Sequence, residues 1–169
     1  MKSKILVFAT CILSVLLISC KSNKQTTEAL SNDEIKQIKT EIIESIANHI
    51  EVLKRLDYEE AMKFYTKENY MVFGDGKYWG DYSTVDDIWK TWLPRWKAIT
   101  KWDLKNQKVH VFSRKSAIAY VEWDHARIEE DGSDTKAYGF WVFGMQRFQE
   151  GWKAVNSAID HRYTIKNGD

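Results

Sequence analysis

The hydrophobic period of this chain changes once, near Trp102, and that change restricts the fold more than any other feature. Before it, apolar residues recur at steps of three and four: Ile35, Ile38, Ile42, Ile46, Ile50, Leu53 and Leu56, with Lys36, Lys39, Glu44 and Lys54 on the other side. That is the stripe of a long amphipathic helix. Ser31 and Glu34 have the spacing of a capping box, in which hydroxyl and carboxylate satisfy opposite orphan amides at a helix start. Asp57 with Glu60 predicts a second short helix through Ala61, Phe64 and Tyr65, and Ser83 or Thr84 a third through Ile88, Trp89, Trp92 and Leu93. Pro94 has no amide to donate and should kink or end that third helix. After Trp102 the period is two, in segments near 105–112, 116–128, 136–148 and 152–164, separated by Ser113-Arg114-Lys115, Asp131-Gly132 and Glu150-Gly151. Such segments read as an antiparallel meander. A shorter early strand is expected over Tyr70 to Phe73. Helices first and a sheet afterwards predict an α+β domain whose N-terminal helices cover one face of a strongly curved antiparallel sheet.

The front end is set apart from this domain. Lys2 and Lys4 precede a run from Ile5 to Ile18 broken only by Thr10, Cys11 and Ser14, which is too short for a comfortable membrane span and reads as a secretion signal. It closes on Leu17-Ile18-Ser19-Cys20, which resembles the lipobox of bacterial lipoproteins, where the cysteine is acylated and the chain cut in front of it. The expected organisation is a lipoprotein signal peptide over 1–19, lipidated Cys20 and a flexible tether over 20–31, one domain over 32–165, and a tail over 166–169. Acyl chains contribute ~0.8 kcal/mol per buried methylene, so a multiply acylated Cys20 would hold the domain on a bilayer without a spanning helix. Lys21 at the second mature position favours, by resemblance to sorting rules, the outer membrane facing the periplasm.

Removal of the signal takes Lys2 and Lys4 away, so the formal charge falls from +1 to −1. A balance so near neutral gives no electrostatic reason to expect nucleic acid. Cys11 leaves with the signal and Cys20 is acylated, which excludes an internal disulfide, a thiolate nucleophile and a thiolate zinc site. All eight tryptophans lie between Trp79 and Trp152, where they can build a core or a pocket from few positions.

Two stretches carry a family resemblance. Leu56-Asp57-Tyr58-Glu59-Glu60-Ala61-Met62-Lys63-Phe64-Tyr65 resembles the second-helix start of the nuclear transport factor 2-like superfamily, which includes SnoaL-like cyclases and ketosteroid isomerases. Gly151-Trp152-Lys153-Ala154-Val155-Asn156-Ser157 resembles its last strand. The resemblance covers about residues 35 to 163 and implies a cone-shaped α+β barrel, open at one end, often in a homodimer. It also implies a pocket on the sheet face that carries the last-strand tryptophan, here the face of Trp152, Asn156 and Asp160. Ketosteroid isomerases carry their base as an aspartate on the early strand; the matching stretch here is Val72-Phe73-Gly74-Asp75-Gly76, with Phe73 or Gly74 at that place and Asp75 read as part of a turn. That departure speaks against isomerase activity.

Strand register gives a second route to the pocket. If the Asp131-Gly132 and Glu150-Gly151 hairpins share a loop class, Tyr120, Glu122 and Asp124 share a face with Asn156, Ala158 and Asp160. With two-residue loops, Trp141, Phe143 and Met145 floor that face, and Val121, Trp123, Val155 and Ile159 fall on the other, where they could form a dimer surface. The expected ligand pocket is lined by Trp89, Trp92, Tyr120, Glu122, Trp141, Phe143, Asn156 and Asp160. Within it Glu122 or Asp160 is the candidate base and Tyr120 the candidate donor, since a buried carboxylate has a raised pKa and can shuttle protons. The Asp124-His125 and Asp160-His161 pairs invite a metal reading, but adjacent strand residues point to opposite faces and neither pair can chelate one ion simply, which leaves only an approach of His125 and His161 across the sheet, short of the three ligands a site needs. No metal and no other cofactor is expected. His49 is expected to be partly buried on the long helix. From Trp89 to Trp102 aromatics mix with cations, and the preferred reading has Trp92 and Trp96 facing the core with Lys90, Arg95 and Lys97 in water.

The sequence therefore predicts a membrane-anchored module binding a small, largely apolar or aromatic ligand, with no evident catalytic set. A cone filled solid by its own side chains would count against it. The alternatives are a cofactor-independent isomerase, cyclase or dehydratase working through a pocket carboxylate, and an envelope scaffold acting as a homodimer.

Overall fold

The computed structural model describes residues 29–68 and 71–165, the side chains of 163–165 excepted. The signal segment, Cys20, most of the tether, the tail and Tyr70 lie outside the described residues. The chain forms α1 (Asn32–Lys54), α2 (Tyr58–Ala61), a 3-10 turn at Met62–Phe64, β1 (Val72–Asp75), β2 (Tyr78–Gly80) and α3 (Tyr82–Trp92). A 3-10 turn at Leu93–Arg95 then leads to β3 (Trp96–Ser113), β4 (Ser116–Glu129), β5 (Asp134–Phe148) and β6 (Gly151–Ile165).

Local chemistry sets these limits. The Ser31 hydroxyl accepts from the Glu34 amide at 3.2 Å and the Glu34 carboxylate accepts from the Ser31 amide at 2.9 Å, so the capping box forms as expected. Arg114, in the β3–β4 turn, donates to the same carboxylate at 2.8 Å and ties the start of α1 to that hairpin. Asp57 caps α2 by accepting from the Glu60 amide at 3.1 Å. α3 starts earlier than expected, because Asp81 rather than Ser83 caps it, accepting from the Ser83 amide at 2.9 Å. It ends at Trp92, and Pro94 sits in the 3-10 turn that comes next.

The six strands lie in the order β2-β1-β6-β5-β4-β3, an open sheet. The meander β3–β6 is antiparallel as expected, whereas β1 pairs with β6 in parallel. β1 covers Val72–Asp75 rather than Tyr70 to Phe73, and β2, which the sequence reading missed, forms a tight hairpin with it. β3 begins at Trp96, well before the expected position, and bends through several bulges.

The helices cover one face of this sheet. From α1 come the buried Ile38, Ile42, Ile46, His49, Ile50 and Leu53, the stripe read from the sequence. From α3 come Val85, Ile88 and Trp89. The sheet answers with the odd-numbered residues of β4 and β5: Ala117, Ala119, Val121 and Trp123, then Trp141, Phe143 and Met145, all buried. Strand pairing aligns Val121, Trp141 and Ile159 in one row on this inner face, and Glu122, Phe140 and Asp160 in the next row, on the outer face.

That arrangement overturns part of the register argument. The β4–β5 loop has an odd length, since the last paired residues are Ile128 and Asp134, so even positions of β4 meet even positions of β5. The β5–β6 loop is the expected two-residue type, Phe148 pairing with Gly151, but a bulge at Val155 then shifts the register by one. The two effects cancel for the polar residues: Tyr120, Glu122 and Asp124 do share a face with Asn156, Ala158 and Asp160. They do not cancel for the aromatic floor. Trp141, Phe143 and Trp152 lie beneath the helices, while the polar set faces away from them.

Candidate functional site

The expected pocket thus divides into two groups of residues. Trp89, Trp141 and Phe143 pack together in the interior, Trp89 to Trp141 at 6.4 Å and Trp141 to Phe143 at 4.8 Å between ring centroids. Tyr65 fills the space between them and α1, and its hydroxyl accepts from Trp89 Nε1 at 3.4 Å and meets His49 Nε2 at 3.4 Å. His49 is fully buried rather than partly so, stacked on Phe64 at 4.2 Å, and burial lowers its pKa to about 3. The deep part of the cone is therefore occupied by the protein itself.

Tyr120, Glu122 and Asp160 lie on the outer face instead, around a broad hollow of about 850 Å³ with Lys105, Lys108 and Phe140. Glu122 accepts from Asn106 Nδ2 at 2.6 Å. Asp124 is held ionised, its pKa lowered first by the hydrogen bond from Lys105. Asn156 is also on this face, opposite Gly144. Val121 and Trp123, expected on a dimer surface, are 2% and 4% exposed beneath the helices. Tyr120, Glu122 and Asp160 thus lie on the opposite face from the one the sequence reading gave them: the odd-length β4–β5 loop turns Tyr120 and Glu122 away from Trp141, and the Val155 bulge turns Asp160 away from Trp152.

The open end of the cone holds the chemistry that the sequence reading did not assemble. Along β4 the inner face continues from Trp123 through His125 to Arg127 and Glu129. Trp92, Arg95, Trp96, Arg127 and Glu129 line a hollow of about 290 Å³. Trp96 is buried, Trp92 half-buried, and Lys90, Arg95 and Lys97 are exposed, as expected. The Arg127 guanidinium lies 4.7 Å from the Trp96 ring centroid and donates to Glu129 at 2.8 Å.

Behind this rim the middle strand presents almost no side chain. Ala137 and Gly139 occupy the inner positions of β5 there, and Gly139 pairs with Trp123 on one side and His161 on the other. A Cβ at Gly139 would run into the carbonyl oxygen of Asp160. Glycine at this position lets the β5 and β6 backbones approach closely.

On the β6 side of Gly139, His161 Nδ1 lies 3.4 Å from Asp75 Oδ1. The His161 ring meets Trp92 edge-on at 6.1 Å. Asp75 is buried, its Oδ2 has no hydrogen-bond partner among the described residues, and burial raises its pKa, with His161 opposing and Asp160 adding to the shift. Reading Asp75 as a turn residue missed this. It is the last residue of β1, and Gly76-Lys77 form the turn, with Asp75 paired to Tyr78. The alternation Phe73, Asp75 across a glycine-containing two-residue turn was the available signal. On the β4 side stand His125, Trp102 and Trp123. Both His125 and His161 point inward, and Asp124 and Asp160 outward, so neither Asp-His pair chelates. Among the described residues no group of three or more His, Cys, Asp or Glu could hold a metal ion.

Neither a protein-family model nor a curated protein sequence matches the chain. Solved structures do. A nuclear transport factor 2-like superfamily protein from Salmonella enterica superposes with a TM-score of 0.66 at 16% identity, covering 79% of this chain and 96% of that one. The chain has the nuclear transport factor 2-like fold. A ketosteroid isomerase-like protein from Erwinia carotovora shares the fold with a TM-score of 0.61 at 14% identity, over 78% of this chain and 98% of that one. A LinA-type hexachlorocyclohexane dehydrochlorinase from Novosphingobium barchaimii gives 0.67 at 10% identity, over 82% and 97%. At such identities the likeness is one of fold. In this chain the nuclear transport factor 2-like fold has a packed interior, with polar side chains gathered at the open end.

Proposed function

We propose that this chain is a small-molecule-binding domain whose ligand seats at the open end of the cone, against Trp92 and Trp96. The observation that supports this most is the hollow walled by Trp92 and Trp96, whose rings neighbour His161 and His125 respectively. A hollow of about 290 Å³ is at the low end of small-ligand sites and fits a single-ring compound. The packed interior rules against a ligand on the Trp141 and Phe143 floor, so binding belongs at the rim. Thermal shift against a panel of small aromatic compounds tests the reading, with tryptophan fluorescence as a second readout. A hit is expected to lose most of its shift in Trp92→Ala. A panel without a hit, together with native mass spectrometry that finds no copurified compound, would overturn it.

The Asp75–His161 pair favours a second reading, proton transfer on the bound compound. A buried carboxylate with a raised pKa beside an imidazole is the kind of group that accepts a proton near neutral pH. The measurable consequence is exchange of carbon-bound protons next to a carbonyl when the protein is placed in heavy water, expected to vanish in Asp75→Asn. Exchange no faster than in the buffer alone removes the enzyme reading and leaves the binding one intact.

Two further parts of the proposal concern the setting of the domain. Acylation at Cys20 would place it at the cell envelope; metabolic labelling with a fatty acid and its loss in Cys20→Ala are the check. The outer face, with exposed Tyr120, Tyr138 and Phe140 among Lys105, Arg162, Glu122 and Asp160, would form a self-complementary homodimer surface, as two-fold contacts require.

A further inference from the structure

Three buried N–H groups at the open end of the cone have no acceptor among the described residues. Trp102 and His125 are direct cross-strand partners on β3 and β4, and Trp123 lies two residues before His125 on the same face. Their rings are mutual neighbours: Trp102 to His125 at 4.5 Å, Trp102 to Trp123 at 6.3 Å, Trp123 to His125 at 6.4 Å. All three residues are more than nine-tenths buried. Among the described residues, Trp102 Nε1, Trp123 Nε1 and His125 Nε2 each lack a hydrogen-bond partner.

The protonation of His125 is set by its neighbours. Burial, reinforced by the Arg127 charge, lowers its pKa to about 3, so the ring is neutral. Its Nδ1 lies 3.4 Å from Arg127 Nη1, and a guanidinium can only donate. Nδ1 is therefore the acceptor and the proton sits on Nε2. The cluster is a set of three donors with no acceptor.

What would satisfy such a set is constrained. A water accepts two hydrogen bonds but brings two protons that need acceptors, and this cluster offers none. An alcohol brings one. A carboxylate brings none but adds a buried negative charge, and the nearby cation Arg127 is already neutralised by Glu129 at 2.8 Å. A carbonyl oxygen has two lone pairs, no proton and no net charge. The walls beside it are aromatic: Trp96 is 5.4 Å from His125, and the Trp141 ring lies parallel to Trp102 at 6.3 Å. Trp96 and Arg127, which touch His125, also line the open-end hollow.

We infer that Trp102, Trp123 and His125 form a carbonyl-binding subsite selecting an uncharged ketone, aldehyde or amide attached to an aromatic ring. This rests on the open-end binding reading and specifies which end of the ligand enters first.

The test compares acetophenone with α-methylbenzyl alcohol and benzoate on the full chain, using indole N–H signals in proton–nitrogen correlation spectra. Acetophenone is expected to move the Nε1–H signals of Trp102 and Trp123 downfield and to bind about tenfold more tightly than the alcohol, whose own O–H stays unpaired. Benzoate is expected to bind more weakly than acetophenone. Trp102→Phe and Trp123→Phe keep a ring and remove the donor, and each should abolish most of the ketone preference. If one variant fails to fold, the other and the wild-type spectra decide. Equal affinity for ketone and alcohol overturns the subsite. So do shifts confined to Trp92 and Trp96, which would leave open-end binding standing. So does a crystal structure in which ordered waters hold all three donors with acetophenone present. No binding of any of the three, alongside a thermal-shift panel without hits, removes both readings.

Discussion

Single residues in this molecule differ sharply in how their charge is handled. His49 and His125 are both held neutral by burial, with pKa values lowered from 6.5 to about 3. Between those values the unfolded chain binds protons that the folded chain refuses, so stability present at pH 7 is lost as pH falls through the window. Each histidine contributes a slope of up to about 1.4 kcal/mol per pH unit. Asp75 acts with the opposite sign: its raised pKa means that ionisation costs stability as pH rises past the ordinary carboxylate range. Urea unfolding at pH 7 and pH 5 is expected to show a net loss of stability on acidification, reduced by about half or more in His49→Phe. Asp75→Asn should unfold at higher denaturant than the wild type at neutral pH, even as any proton exchange disappears. A destabilised Asp75→Asn would mean that the carboxylate is well accommodated as the anion. None of these burials could be read from residue type. His49 was visible near the apolar stripe of α1, yet its full enclosure comes from Phe64 and Tyr65, which belong to a separate turn.

At the scale of elements, caps and stripes were legible because they depend on spacing within a few residues. Ser31 and Asp57 cap as their sequence spacing indicated, and Pro94 ends α3 through its missing amide. The sheet's face assignment was not legible, because it depends on loop parity and on one bulge. Deleting Val155 would remove the register shift and turn Asn156 through Asp160 over, putting Asp160 beneath the helices and Ile159 in water. That deletion is expected to prevent folding or to yield a form without cooperative unfolding. A well-folded deletion variant with an unchanged β1–β6 pairing would contradict this register. Gly139 sets the bend between β5 and β6 by close approach of backbone, which a methyl group cannot share. Gly139→Ala is expected to cost about 3 kcal/mol or more, the size of other core overpacking and backbone clashes, read as a lowered urea midpoint. Gly151 differs: its φ of 120° reflects turn conformation with open space around it.

The molecule as a whole presents one sheet face to its helices and leaves the other in water. Tyr120, Tyr138 and Phe140 are each nearly half exposed there, and opposite charges alternate around them. Phe140→Glu on that face would add like charge beside Glu122 and Asp160 and should shift a dimer to monomer in light scattering without lowering the unfolding midpoint much. A wild-type chain that is monomeric at micromolar concentration would dismiss the dimer.

By itself the sequence determined the features that short-range periodicity and covalent chemistry dictate: the helices and their caps, the four long strands, and the α+β class of the fold. Only the tertiary structure decided which side of each strand is covered, since that turns on the odd β4–β5 loop and the Val155 bulge, each worth one residue. It also decided which distant side chains meet. Asp75 and His161, or Trp102 and the Trp123–His125 pair, stand far apart along the chain and become neighbours only because β1 inserts beside β6 and β3 folds back along β4.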